Sequence, residues 1–379
     1  MTGAPPLAGV RVVDASRVLA GPLAGQILAD LGADVLKVEP PQGDETRFWG
    51  PPFLGDPHAH PPTSAYFTAL NRSKRNRVLD LGGSDGRAVF AELLAEADVL
   101  LENFKAGTLE AWGFDRETIE RDYPGLIHAR ISGFGRGGPL DGAPGYDAIV
   151  QAMTGLMSVN GSPESGPLRL GVPIVDLSTG HYAAIGILAA LRARDRDGRG
   201  QLLEVSLYDV GLAVNHPHVG NSLAGGDPPS LQGNSHPNIA PYDLIGTATA
   251  PVYVTVGNDR QFASFAAVLG VPELATDARF RTNAARVVNR AALLAELAQC
   301  CADKDGAALA ARLLHNGVPA AIVATVPQAL EALQTRARGS VVDAQDYRGV
   351  ASPIRLSTTP VRPPTAPEPF GGTRTEPEG

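Results

Sequence analysis

Apolar positions in the first 210 residues alternate between two rhythms. Short unbroken runs, "AGVRVVD" (8–14), "ADVLKVE" (33–39), "NRVLDL" (76–81), "ADVLLEN" (97–103) and "LIHARISG" (126–133), read as buried strands. In "QLLEVSL", Leu203, Val205 and Leu207 alternate with polar residues, as a half-buried strand does. Between the runs, helical spacing predicts a helix over "PLAGQILADL", with Pro22 as its first residue and Gly32 at its end. Another is predicted from Ser84 to about Ala95, and a third after Asp176, where Ala184, Ile187, Leu188 and Leu191 share one face. Strands alternating with helices predict a mostly parallel sheet covered on both faces.

The rhythm breaks at 215–240, "NHPHVGNSLAGGDPPSLQGNSHPNIA", whose Gly, Pro, Asn and Ser content predicts a loop or linker. A compact segment follows. It holds a strand "PVYVTVGN", a helix "DRQFASFAAVLG" and helices between 283 and 316, then "VPAAIVA" and "VPQALEAL", and it reads as a second, smaller α/β domain. From 357 the Pro-rich tail predicts an extended or partly disordered end.

Composition narrows the class. The 379 residues, 44% hydrophobic, suffice for two domains or one large elaborated domain with a sizeable core. The balance of 32 basic against 40 acidic residues, net −8, argues against general nucleic-acid binding. Cys300 and Cys301 are adjacent and make no disulfide framework, which points to a reducing compartment. The N-terminus shows no signal-peptide pattern, and the apolar stretch around 182–191 is too short to span a bilayer. A cytoplasmic protein without membrane association is expected.

Familiar motifs are weak. "GFGRGG" (133–138) matches G-x-G-x-x-G after a strand, but Pro139 and "LDGAPG" follow where a dinucleotide site needs a helix. Glu39, at the end of the second strand, is expected to be solvated. His58 and His60 lie in a Pro-rich loop with nothing to complete a metal site, so no metal is expected. Asp176 stands among residues that should be buried, "GVPIVDLSTGHYAAIGILAAL" (171–191). Its plain reading is an N-cap; Arg192, Arg194, Arg196 and Gly198 mark the far end. Ligands of open α/β sheets bind beyond the carboxyl ends of strands. There "SRVLAGP", "LDLGG", "ENFKAG" and "GVPIVDLSTG" gather apolar groups, Asn103 and Lys105, a set that suits an adenine and a phosphate.

Taken together and in order, these segments resemble family III CoA-transferases, the group of formyl-CoA and carnitine CoA-transferases and α-methylacyl-CoA racemases. "LAGVRVVDASRVLAGPLAGQILADLGADVLKVEPPQGDETRFWG" is similar to the family's opening, and "NRSKRNRVLDL", "LLENFKAGTLEAWGFD", "GYDAIVQAMTGLM", "HPNIAPY" and "GNDRQF" follow. The resemblance covers roughly residues 5–350. It implies a Rossmann-like α/β large domain from 1–214 and 331–379, a linker at 215–240, a small α/β domain at 241–330, and an interlocked homodimer. It also implies coenzyme A as acyl-CoA substrate, a carboxylic acid acceptor, and Asp176 as the nucleophile that carries CoA through a covalent aspartyl intermediate. At a helix N-terminus the dipole would favour its ionised form, and free backbone N–H groups would meet an oxyanion. Leu19, Ala20, Leu79, Asn103 and Phe104 fall on CoA contacts; Lys105 is added as a phosphate partner, and Trp49 and Tyr146 as substrate-pocket residues. The chain departs from the pattern at Leu19, where formyl-CoA transferases carry Gln, and at Pro40 and Ala111, often basic, which speaks against formyl and oxalyl substrates. The alternatives are a racemase or epimerase, where a His precedes the Asp of "GYDAIVQ" in place of Tyr146, and a non-catalytic acyl-CoA-binding homologue.

Overall fold

The computed structural model describes residues 3–56, 58–344 and 346–372. Two compact units are present: 1–156 with 169–227 and 333–379, and 157–168 with 228–332. The break thus falls at 227/228, inside the expected linker, and the segment before it holds a short helix, His218–Leu223. A small ribbon pairing Gly161–Ser162 with Gly166–Pro167 belongs to the second unit, which the apolar pattern did not signal.

In the first unit six strands form one parallel sheet: β1 (Arg11–Asp14), β2 (Asp34–Glu39), β3 (Arg75–Val78), β4 (Val99–Glu102), β5 (Ile127–Ser132) and β6 (Leu202–Ser206). Their order is β3-β2-β1-β4-β5-β6, a doubly wound sheet. β1 is central and buried, as Val12 pairs with Val35 on one side and Val99 on the other. One core layer carries Leu28, Val35, Val99, Ile127 and Ile187; the opposite face carries Phe90, Leu94, Leu100 and Leu109.

Two helices frame the site. The first, α1, runs Ala20–Asp30 and starts two residues before Pro22, which sits in its first turn where a missing N–H costs nothing. The second runs Ile174–Asp197 and stops at Gly198, whose φ of 72° supplies the left-handed cap. Small residues let the two approach: a Cβ on Gly180 would lie 2.8 Å from the Ala20 carbonyl oxygen. By length and composition this 24-residue helix meets the requirement for crossing a bilayer, more than the count over 182–191 implied. Its inner face, with Ala183, Ala184, Ile187 and Leu191, is core.

Charged residues are buried under the strand ends. Asp14, Lys37, Asp44 and Lys74 are each 2% exposed or less. Glu39 is also buried rather than solvated: Arg47 grips it with Nε and Nη2, each at 2.7 Å. The Arg47 guanidinium lies 3.8 Å from the centroid of the Phe67 ring. The expected loose tail is anchored as far as it is described. It runs along the outer side of β3, where Ser73 N–H donates to Thr365 O (2.9 Å), Glu368 N–H to Lys74 O (3.1 Å) and Asn76 N–H to Glu368 Oε2 (2.9 Å). Arg362 N–H donates to Asp30 O at 2.8 Å.

The second unit is built on a three-stranded antiparallel sheet of Tyr242–Ile245, Val252–Thr255 and Ala320–Ile322, the middle one central. Helices bring Phe262, Phe265, Leu293 and Leu313 into its core, and a turn adds Phe280. Arg286 is fully buried there, donating to Ala240 O, Phe280 O and Asp259 Oδ1.

Candidate active site

Strand order decides where a ligand goes. β1 and β4 are neighbours whose connections leave toward opposite ends of the sheet, so a crevice opens beyond their carboxyl ends. Two cavities fill it. The first, about 360 Å³, is lined by Leu19, Ala20, Asn103, Arg136, Tyr146 and Asp176, among others. The second, about 310 Å³, is walled by Val38, Pro40, Leu79, Leu81 and Trp112. Arg17, Phe104 and Lys105 line both. Among the described residues neither Arg17 nor Lys105 has a salt-bridge partner, so two cations stand where the cavities meet.

Local structure fixes these side chains. Asn103, just past β4, accepts the Arg17 N–H on Oδ1 and donates from Nδ2 to the Arg17 carbonyl, both at 2.8 Å. Its amide is spent on holding the β1 loop. Phe104 packs edge-on against Trp112, with centroids 5.1 Å apart, and its N–H donates to Glu102 Oε2. "GFGRGG" forms a loop lining the first cavity, with positive φ at Gly135 and Gly137, and no helix begins before Asp147. Trp49 does not line the cavity that holds Asp176; it is half-exposed and packs edge-on against Tyr66, 5.2 Å between centroids.

Asp176 is the third residue of its helix and does not cap it. Pro173 stands at the cap position, with no side-chain cap bond. A different carboxylate does that job. Asp147 Oδ1 accepts the N–H of Val175 at 2.8 Å and of Asp176 at 3.2 Å, while Oδ2 accepts Gln151 Nε2 at 2.6 Å. Gln151 Oε1 in turn accepts the Leu170 N–H, tying down the segment that leads into the helix. The N–H groups expected to meet an oxyanion are therefore occupied. The electrostatic expectation also reverses: burial first, and the Asp147 charge second, push Asp176 up to about 7.

Tyr66 is a residue the sequence reading passed over. Burial, then the charges of Asp176 and Asp147, push its phenol up to about 12, so it is a protonated hydroxyl within the field of both carboxylates. Its only sequence signal was an aromatic in the first turn of "SAYFTALN", which is also what a core helix shows.

The geometry is that of a raised-pKa carboxylate in a cleft with free cations and an apolar annex. Comparisons with known proteins identify the family. The profile of CoA-transferase family III matches residues 7–375. A succinate–glutarate CoA-transferase of Agrobacterium fabrum is 42% identical over 364 residues, 94% of this chain and 91% of that protein. An acetyl-CoA:oxalate CoA-transferase of Acetobacter aceti is 39% identical, covering 93% and 89%. The crystal structure of a CaiB/BaiF family protein from Brucella suis superposes with a TM-score of 0.87 at 42% identity, covering 97% of each chain. This chain belongs to CoA-transferase family III, enzymes that act on acyl-CoA and carboxylate substrates.

Proposed function

We propose that the chain moves CoA between small dicarboxylic acids through a covalent intermediate on Asp176. The observation that carries this reading is the placement of Asp176: a carboxylate lining a cleft, with burial and Asp147 weakening its hold on negative charge. Such a carboxylate is a better nucleophile than a solvated one, and near neutral pH a large fraction is still ionised. The relative named for succinate and glutarate supports the substrate class.

The steps balance as follows. Asp176 attacks the thioester carbonyl of the donor acyl-CoA; the C–S bond breaks, leaving a mixed anhydride and CoA thiolate. The thiolate attacks the aspartyl carbonyl and releases the donor acid as carboxylate. The acceptor carboxylate then attacks the aspartyl–CoA thioester, giving a second anhydride and thiolate. The thiolate finally takes the acceptor acyl group and frees Asp176. The thioester is conserved throughout, so no external energy source is needed. In this reading the adenine lies against Leu79, Leu81 and Trp112, the phosphates meet Arg17 and Lys105, and the thioester reaches Asp176 past Leu19 and Ala20. Tyr146, more than half exposed at the cavity mouth, faces the acyl group.

The reading extends to an interlocked homodimer, supported by exposed apolar side chains on neighbouring helices, Ile149, Met153, Tyr182 and Ile185. Light scattering at micromolar concentration should return twice the chain mass; a monomer would refute it.

The chemistry is tested with Asp176→Ala and Asp176→Asn on succinyl-, glutaryl- and acetyl-CoA with dicarboxylate acceptors. Loss of transfer, with an aspartyl–CoA adduct trapped on wild type by hydroxylamine or borohydride and located by mass spectrometry, is expected. Full transfer by the Ala variant would refute the intermediate. Rapid α-deuteration of a chiral 2-methylacyl-CoA in heavy water without acceptor would instead mark a racemase. Tight CoA binding with no turnover would mark a non-catalytic homologue.

A further inference from the structure

The loop between β1 and α1 has a shape its sequence does not favour. Val18 has a φ of 70°, a left-handed conformation that a β-branched side chain adopts only when its surroundings force it. The residues after it, Leu19 and Ala20, line the cavity with Asp176. Among the described residues, no acceptor is found for the backbone N–H groups of the buried residues Leu19, Ala20 and Gly21. A strained residue beside unspent backbone donors in the cleft calls for a restraint.

Two buried lysines supply it from either side. Lys37 Nζ donates to the Ser16 carbonyl, before Val18, at 2.7 Å. Lys74 Nζ donates to the Pro22 carbonyl, after it, also at 2.7 Å. Asp14 couples the two ends: Oδ2 accepts Lys74 at 2.7 Å, and Oδ1 accepts the Ser16 N–H at 3.1 Å and its hydroxyl. Lys37 is held in turn by Asp44 at 3.2 Å, and Lys74 by Asn71 Oδ1 at 2.9 Å. Helix α1 is cut to fit this cluster. A Cβ on Gly25 would fall 2.6 Å from Asp14 Oδ2 and 3.2 Å from Lys74 Nζ, and one on Gly21 would strike the Ser16 side chain at 2.3 Å. Fully buried charges are an expensive way to gain stability. A pair of them spanning one strained turn is explained by what the turn must hold.

Resting on the transferase reading above, we infer that Lys37 and Lys74 are positioning residues: they clamp the Ser16–Pro22 turn with Val18 in its left-handed state, which sets the Leu19 and Ala20 backbone against the Asp176 cleft. Neither lysine touches the reacting atoms.

The test compares wild type with Lys74→Met, Lys37→Met, Val18→Pro and Lys74→Met/Val18→Gly. The first two remove the clamp. Proline cannot adopt positive φ and forbids the turn with both lysines intact. Glycine adopts it without help. Each lysine variant should lose about tenfold or more in kcat, with acyl-CoA KM changed less than about threefold; Val18→Pro should lose at least as much. Adding Val18→Gly should return a several-fold part of the Lys74→Met loss, a rescue that a purely structural lysine would not allow. Should one lysine variant fail to fold, the other lysine variant carries the test together with Val18→Pro. Wild-type kcat in Val18→Pro, or Lys74→Met inactive and not rescued, overturns the clamp. If wild type itself transfers no CoA, the transferase reading fails separately. Hydrogen exchange of the 15–23 peptide then judges the clamp: faster in Lys74→Met supports it, unchanged overturns it.

Discussion

Asp147 and Asp176 are joined through the backbone: one carboxylate accepts the N–H of the residue that bears the other, at 3.2 Å. The bond fixes the start of the helix and brings a negative charge next to Asp176. One residue thus gives the helix its cap and Asp176 part of its raised pKa.

This relationship predicts a pH profile. With Asp176 near 7, the proposed attack by its ionised form requires kcat/KM for acyl-CoA to rise about tenfold per pH unit below neutrality and level off above it. Asp147→Asn keeps an acceptor for the helix N–H groups and removes the charge, so the inflection should move to lower pH. Initial rates from pH ~5.5 to ~8.5 decide; an inflection that stays in place in Asp147→Asn would remove Asp147 from the electrostatics.

The same raised pKa predicts a stability trade. A carboxyl whose native pKa lies above the unfolded value of 3.8 favours the native state fully below 3.8, and that contribution is lost as pH rises to about 7. Above 7 the ionised group is a cost, at most roughly 4 kcal/mol from about 1.36 kcal/mol per unit. Asp176→Asn should therefore melt several degrees above wild type at pH ~8 and close to it at pH ~4. Equal melting at pH ~8 would contradict the burial penalty.

Lys105 tests the CoA path. It is exposed, without a salt-bridge partner among the described residues, and lines both cavities. Lys105→Ala should raise the acyl-CoA KM by about tenfold with kcat little changed, the mark of a contact made equally in ground and transition states. The effect should shrink at high salt, since it is Coulombic.

The buried Glu39–Arg47 pair predicts a large single-mutant effect. Arg47→Met leaves the buried Glu39 carboxyl without its partner and should cost about 3–5 kcal/mol in urea unfolding. Glu39→Gln with Arg47→Met should recover a good part of that loss, although Asp44 N–H and Asn76 also lean on Glu39.

The α/β alternation was legible because strands buried on both faces must be apolar runs, as in "ADVLKVE" and "ADVLLEN". The crevice followed from strand order. The buried charges were not legible. Glu39 looks like a solvated strand end because nothing local announces Arg47, and Asp147 looks like an ordinary first-turn acid because the N–H groups it accepts lie 28 and 29 residues on. Asp176 reads as a cap for the same reason. The distinction between capping a helix and being capped by a neighbour exists only after the chain has folded.

The tail along β3 has a consequence for handling the chain. β3 is the last strand on its side of the sheet, and an uncovered last strand is a template for pairing with another molecule. Thr365, Glu368 and Gly371 occupy that rim through Ser73, Lys74 and Asn76, and Phe370 lies 5.3 Å from the Arg47 guanidinium. Residues 358–372 therefore act as a guard against sheet-to-sheet association. Trimming them as a Pro-rich appendage would yield an enzyme with its catalytic groups intact and a tendency to precipitate.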